Sequence, residues 1–149
     1  LGSFFGTSMK AWTYGILIKG NIMVGICICA PYKDDSSVQI GKIEIQKDYQ
    51  GSHLCTNFMS FIIKQLKLLG KRLVVMRNGS STISKSGGPP GLPAHICYCK
   101  AALRNGFNIS IYNDLRELHA NINLDVEISD LPASFNEDYR WLEFSLPET

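Results

Sequence analysis

The chain has 149 residues, 45% of them hydrophobic and 19% charged, with a formal net charge of +2. That is one globular domain spanning 1–149 with enough length for a real core. The near-neutral charge leaves no basic stripe for nucleic acid. No apolar run is long enough to span a membrane, and no signal peptide is visible. The five cysteines, Cys27, Cys29, Cys55, Cys97 and Cys99, are odd in number and four lie in apolar runs, as expected of reduced thiols in a cytoplasmic protein. The two C-x-C pairs lack C-x-x-C loop geometry, so buried thiols are expected and no metal.

Residues 1–11 read as an irregular lead-in. The start at Leu1, without Met, is expected to reflect a missing or renumbered N-terminus. Trp12 to Ile18 and Ile22 to Ala30 alternate or run apolar with β-branched residues, and predict a hairpin turning at Lys19-Gly20-Asn21. After a polar loop, Gln39 to Gln46 predicts a third strand, with Ile40, Ile43 and Ile45 among polar residues. Tyr49 to His53 is a turn. From Leu54 the apolar positions Leu54, Phe58, Phe61, Ile62, Leu66 and Leu69 predict a helix with one buried face, stopped at Gly70. Neither Asp nor Glu falls in its first turn. Its orphan N–H groups can therefore receive an anion such as a phosphate.

Leu73 to Met76 predicts a strand buried on both faces, parallel to the third strand through a right-handed crossover. Asn78 to Leu92 is a Ser/Gly/Pro loop, either a substrate lid or a flexible connection. Pro93 opens a helix to about Arg104, stopped at Asn105-Gly106. Phe107 to Tyr112 predicts a strand, Asp114 to Ala120 is ambiguous, Ile122 to Ile128 reads as strand or extended segment, and Tyr139 to Leu146 is the closing strand. The order is mixed α/β: a mostly antiparallel sheet with one parallel pair that can splay to admit a ligand.

The turn Gln50-Gly51-Ser52-His53-Leu54-Cys55, between a strand and a helix, resembles the acyl-CoA pyrophosphate loop of the GNAT acyltransferase superfamily. Gln50 fits its first position, while His53 and Cys55 stand where small residues are usual. Trp12-x-x-Gly15, Val24-Gly25, Pro31, the Gly88 to Pro93 stretch before Tyr98-x-Lys100-x-x-Leu103, and the closing Leu146-Pro147-Glu148-Thr149 are together similar to the N-terminal half of the N-myristoyltransferase family.

The resemblance implies a GNAT-like fold that binds an acyl-CoA, either myristoyl-CoA or acetyl-CoA. It also implies an amine acceptor on a peptide or protein, N-terminal glycine among them. Backbone amides at Lys42 and Ile43 would form the oxyanion hole. Ile45 and the loop Gln50, Gly51, Ser52, His53, Leu54 and Cys55 would hold the cofactor. The family's third-strand Asn and Cys are replaced by Gly41 and Glu44. Glu44 alternates with Ile43 and Ile45, so it points away from their side. It is a candidate general base or else a solvated or Lys-paired glutamate.

The family's second half, which supplies a terminal carboxylate as base, has no counterpart here. The chain is then expected to be a fragment, to work with a second half-domain or a second copy, or to be a reduced relative. In many GNAT acetyltransferases a Tyr four residues before a Gly-Phe pair protonates the leaving thiolate; here Ala102 stands four before Gly106-Phe107, and Tyr98 reads as structural. Two other functions stay open: a non-catalytic acyl-CoA-binding, lipid-binding or interaction module that kept the fold, and a small GNAT N-acetyltransferase.

Overall fold

In the computed structural model the described residues are 11–18, 20–49, 54–77, 92–123, 126–135 and 139–147. The expectations for Gln50 to His53 and for nearly all of the 78–92 loop therefore lie outside the described residues. Among the described residues seven strands form one sheet: β1 (Trp12–Ile18), β2 (Ile22–Pro31), β3 (Ser37–Ile45), β4 (Leu73–Arg77), β5 (Asn108–Asn113), β6 (Leu118–Ile122) and β7 (Tyr139–Ser145). Among the described residues there are also two α-helices, α1 (Leu54–Leu68) and α2 (Leu92–Arg104), and two short 3-10 turns, Lys47–Tyr49 before α1 and Ile128–Ser134 after β6.

The sheet order is β1-β2-β3-β4-β7-β5-β6. β3 and β4 are parallel and the other neighbours antiparallel. β4 and β5 both run antiparallel to β7, so they are parallel to each other with β7 inserted between them. Two successive right-handed crossovers taken in the same direction place both helices on one face, and α1 packs on α2 accordingly. That face holds the core: Ile62, Ile63 and Leu66 of α1, Val74 of β4, Ile109 and Ile111 of β5, and Leu142 and Phe144 of β7 are closed to solvent. Each fully buried side chain of this kind stabilises by about 1.5–3 kcal/mol.

Both helices end in the same device. Gly70 and Gly106 adopt φ of 82° and 85°. Lys71 N–H donates to the Leu66 carbonyl at 2.9 Å and Gly70 N–H to Lys67 at 3.0 Å. Phe107 N–H donates to Ala102 at 2.9 Å and Gly106 N–H to Leu103 at 3.1 Å. These are paired Schellman closures around a left-handed C′ glycine. Lys67 Nζ also donates to the Asn105 carbonyl at 2.9 Å, tying the two helix ends together.

Two expectations need correction. Phe61 and Leu69 do not belong to the buried face of α1: they are 50% and 60% exposed, and Met59 and Ile63 take their places. Phe61 instead meets Tyr14 of β1 edge-on, with ring centroids 6.1 Å apart. Of Ile122 to Ile128, read as a strand or an extended segment, only Ile122 is in a strand among the described residues; pairing comes earlier, in β6, where Ile109 faces Ile122. The closing strand expected at Tyr139 to Leu146 is β7, and it lies between β4 and β5 in the sheet.

Candidate active site

The ladder between β3 and β4 covers only Ser37↔Leu73 to Ile40↔Met76. Beyond Ile40, β3 continues for five residues to Ile45 paired with β2 alone, while Arg77 of β4 pairs with Trp141 of β7. The parallel pair therefore parts after Ile40 and Met76. At the parting point β3 carries a bulge: Cys29 faces Ile40 and Ile28 faces Lys42, leaving Gly41 as the extra residue. The bulge shifts the side-chain phase by one. Val38 and Ile40 face the core before it; Ile43 and Ile45 do so after it, which accounts for the uneven Ile spacing in the sequence.

Gln46 N–H donates to the Val24 carbonyl of β2 at 2.9 Å. Counting back by twos, the amides of Glu44 and Lys42 are directed toward β2, and those of Ile43 and Ile45 toward the side that β4 has left. Ile43 thus turns an amide to the opening. Glu44 lies on the opposite face from Ile43 and is exposed, with its Oε2 3.2 Å from Lys42 Nζ. Leu54 and Cys55 form the first residues of α1, whose first turn holds no acidic side chain.

Cys55 faces Cys97 of α2, and both are half-buried. The Cys97 thiol accepts from Thr56 Oγ1 at 3.5 Å. It is held below the usual thiol range, first by the hydrogen bond from Cys55 and further by Thr56, Lys100 and Arg104. The Cys55 thiol is pushed up in turn. Cys27 and Cys29 of β2 lie 3.8 Å apart in the core. All five cysteines are free thiols.

Next to them, His95 in the first turn of α2 is buried, its Nδ1 2.6 Å from Tyr139 Oη. Burial pulls its pKa down from 6.5 to about 4, so the imidazole is neutral. Burial likewise pushes the Tyr98 and Tyr139 hydroxyls up. Tyr98 stacks edge-on with His95 at 5.5 Å. Ala102 is fully buried.

A feature the sequence did not disclose lies across the opening. Arg77, Asn113, Asp114, Arg116, Arg140 and Trp141 line an open cavity of about 130 Å³. These residues come from β4, the β5–β6 turn and β7, and meet only because β7 inserts between β4 and β5. The one available signal was Arg77 directly after a buried strand, together with Arg140-Trp141 at the start of another. Among the described residues no group of three or more His, Cys, Asp or Glu could hold a metal ion, and no helix is long and apolar enough to cross a membrane.

No family model matches the chain, and no curated protein matches it. Solved structures do. An acetyltransferase from Bacillus subtilis in complex with CoA is 19% identical, with TM-score 0.56, over 93% of this chain and 78% of that one. An IAA acetyltransferase from Bacillus cereus is 18% identical, with TM-score 0.56, over 93% and 80%. A GNAT family acetyltransferase from Elizabethkingia anophelis with acetyl-CoA bound is 16% identical, with TM-score 0.55, over 92% and 77%. At these identities the likeness establishes the fold: a mixed α/β GNAT fold, mostly antiparallel, with one splayed parallel pair.

Proposed function

We propose that the chain is a small N-acyltransferase that takes an acyl group from acetyl-CoA and passes it to an amine. The observation that carries this reading is the parting of β3 and β4 after Ile40 and Met76 with a bulge at Gly41, in a GNAT fold. The short acyl donor is preferred to myristoyl-CoA because two of the similar structures hold CoA and acetyl-CoA. Gly41 and Glu44 also replace the third-strand Asn and Cys of the myristoyltransferase pattern.

In this reading the thioester carbonyl lies in the opening, with the Ile43 amide donating to its oxygen. That donor acts most strongly on the charge that develops as the amine attacks. Lys42 frames the bulge, and Ile45 lines the wall below. Gln50 to Cys55 and the α1 N-terminus receive the pyrophosphate, since the first-turn amides are donors without a competing carboxylate.

The amine nitrogen forms the C–N bond and gives its proton to Glu44, directly or through a water. The tetrahedral species then collapses, the C–S bond breaks and CoA leaves as thiolate. A thiol with an ordinary pKa of about 8.5 is a fair leaving group without an acid, so Ala102 in place of a tyrosine does not block the step. A cytoplasmic, reducing setting suits the free thiols. The Lys42–Glu44 ion pair favours a second reading, a module that binds acyl-CoA without turning it over.

Isothermal titration with acetyl-CoA and with myristoyl-CoA, followed by a thiol-release assay with a panel of amines, tests this. The expected result is binding of acetyl-CoA and thiol release that depends on an amine. Tighter binding of myristoyl-CoA would favour the myristoyltransferase-like reading, and binding without release the module. Binding of neither cofactor would sink all three.

A further inference from the structure

The arginine-lined cavity sits level with the bulge. Arg77 follows Met76 on β4 as Gly41 follows Ile40 on β3, and Ile40 and Met76 are the last paired residues. Arg77 in turn pairs with Trp141 one strand further on. With strands about 4.8 Å apart where they pair, the cavity lies on the order of 5–10 Å from the bulge. Side-chain alternation puts Trp141 on the sheet face away from the helices, since its neighbour Leu142 belongs to the core. Lys42 and Glu44 share that face by the same alternation.

Its charges are unequally used. Arg140 is engaged: its Nε lies 3.5 Å from Asp114 and its NH1 donates to the Tyr139 carbonyl at 2.8 Å. Among the described residues no carboxylate pairs with Arg77 or Arg116. The Arg116 guanidinium lies flat enough over Trp141 to bring its central carbon 3.9 Å from the ring centroid. Arg116 adopts a left-handed φ of 61°, a conformation that costs a non-glycine residue about 1 kcal/mol.

Asn113 holds that turn from both sides. Its Oδ1 accepts from the Leu115 and Glu117 amides at 2.9 and 3.0 Å, and its carbonyl accepts from the Arg116 amide at 3.1 Å. The turn therefore presents a guanidinium at a fixed place over an aromatic floor. Two guanidiniums without carboxylate partners suit the oxygens of an anion, which arginine binds through paired N–H donors. The cavity is the size of a headgroup and is too small for a whole cofactor.

We infer that this cavity is the acceptor subsite, and that the amine substrate carries an anionic group, a carboxylate or a phosphate, which Arg77 and Arg116 hold while the amine reaches the thioester at the bulge. The inference rests on the acyltransferase reading for its chemistry, but the anion site itself can be tested without cofactor.

The test uses matched amines: glycine against methylamine, L-phenylalanine against phenethylamine, and O-phosphoethanolamine against ethanolamine. In a Trp12→Phe background, Trp141 is the remaining indole. The anionic member of each pair is expected to shift its fluorescence at least tenfold lower in concentration than the neutral one. The first two pairs report on carboxylate and the third on phosphate. The double variant Arg77→Gln/Arg116→Gln should abolish this preference while its affinity for acetyl-CoA, by titration, stays within twofold of wild type.

With acetyl-CoA present, kcat/KM should favour the anionic amines tenfold or more, and only with both arginines intact. Equal response to anionic and neutral amines, or a preference that survives the double variant, overturns the subsite. Anion binding that needs the arginines, in a protein that does not bind acetyl-CoA, keeps the site and overturns the acyltransferase reading instead.

Discussion

The two sides of the opening between β3 and β4 are built on different principles. On the β3 side the groups we propose for binding are backbone: the Ile43 amide past the bulge and the first amides of α1. On the β4 side they are side chains: Arg77, Arg116 and Trp141, brought together from three segments by the insertion of β7. A backbone site tolerates many sequences, because every residue but proline supplies the donor. A side-chain site depends on particular residues. The first side suits a co-substrate common to a whole fold, and the second an acceptor that differs from protein to protein. The two sides also differ mechanically. β7 is paired on both edges and its Leu142 and Phe144 are fully buried. The outer half of β3 is paired on one edge only, and Ile43 is half-buried.

That mechanical difference sets the largest expected effect. Leu142→Ala removes a fully enclosed side chain with no room for collapse, and should cost about 2–5 kcal/mol in urea unfolding. Ile43→Ala, at the half-buried edge of the opening, should cost roughly 1 kcal/mol. Equal costs at the two positions would mean that the β3 side is as closely packed as the β7 side and that the opening is no mechanical boundary.

The second effect is a pH dependence on the closed side, where His95 of α2 meets Tyr139 of β7. The His95 pKa falls from 6.5 in the unfolded chain to about 4 in the fold. Between those values the unfolded chain binds a proton that the folded one refuses. The stability this group contributes is therefore complete above the unfolded value, is lost as pH falls through the window, and stays level below about 4. The loss is of the order of 3 kcal/mol. His95→Asn keeps a polar partner for Tyr139 and should flatten this part of the slope when urea midpoints at about pH 7 and about pH 4.5 are compared. Identical slopes in wild type and variant would assign the acid sensitivity to carboxylates elsewhere.

Much of the β3 side was legible in the sequence. Ile40, Ile43 and Ile45 break strict alternation, and that break is the bulge; α1 starts at Leu54 with no acid in its first turn, as its sequence reads; Gly70 and Gly106 mark both helix stops. Such features are local, and local chemistry is written in consecutive residues. The β4 side was not legible. Arg77, Arg116 and Arg140 are far apart in the chain, and nothing local says that the last strand enters between β4 and β5. Of Ile122 to Ile128 only Ile122 is paired among the described residues, because the neighbour available for pairing, Ile109 to Tyr112, is met by Leu118 to Ile122. Phe61 looked buried by spacing alone, because helical periodicity gives a face without saying how wide the sheet beneath it is.

The smallest expected change in stability is at Glu44, and there the two sides can be told apart most directly. Its carboxylate pairs with Lys42 at 3.2 Å, with the two side chains 62% and 52% exposed. An ion pair in that setting contributes little, because water screens it and two long side chains must be held in place. Glu44→Gln should therefore move the urea midpoint by no more than about 0.5 kcal/mol of stability. A general base is another matter: its removal costs on the order of 10²–10⁴ in rate. The variant should keep its affinity for acetyl-CoA and lose kcat by that factor, with part of the loss recovered at higher pH as more of the amine arrives already deprotonated. Lys42→Met serves as the control. It breaks the same ion pair but leaves the carboxylate, so it should keep most of the activity at the same small cost in stability. If both variants retain full kcat, the pair is a solvated surface contact and the proton leaves the amine by another route. If both lose it together, the pair acts as one unit at the mouth of the opening and Glu44 alone is not the base.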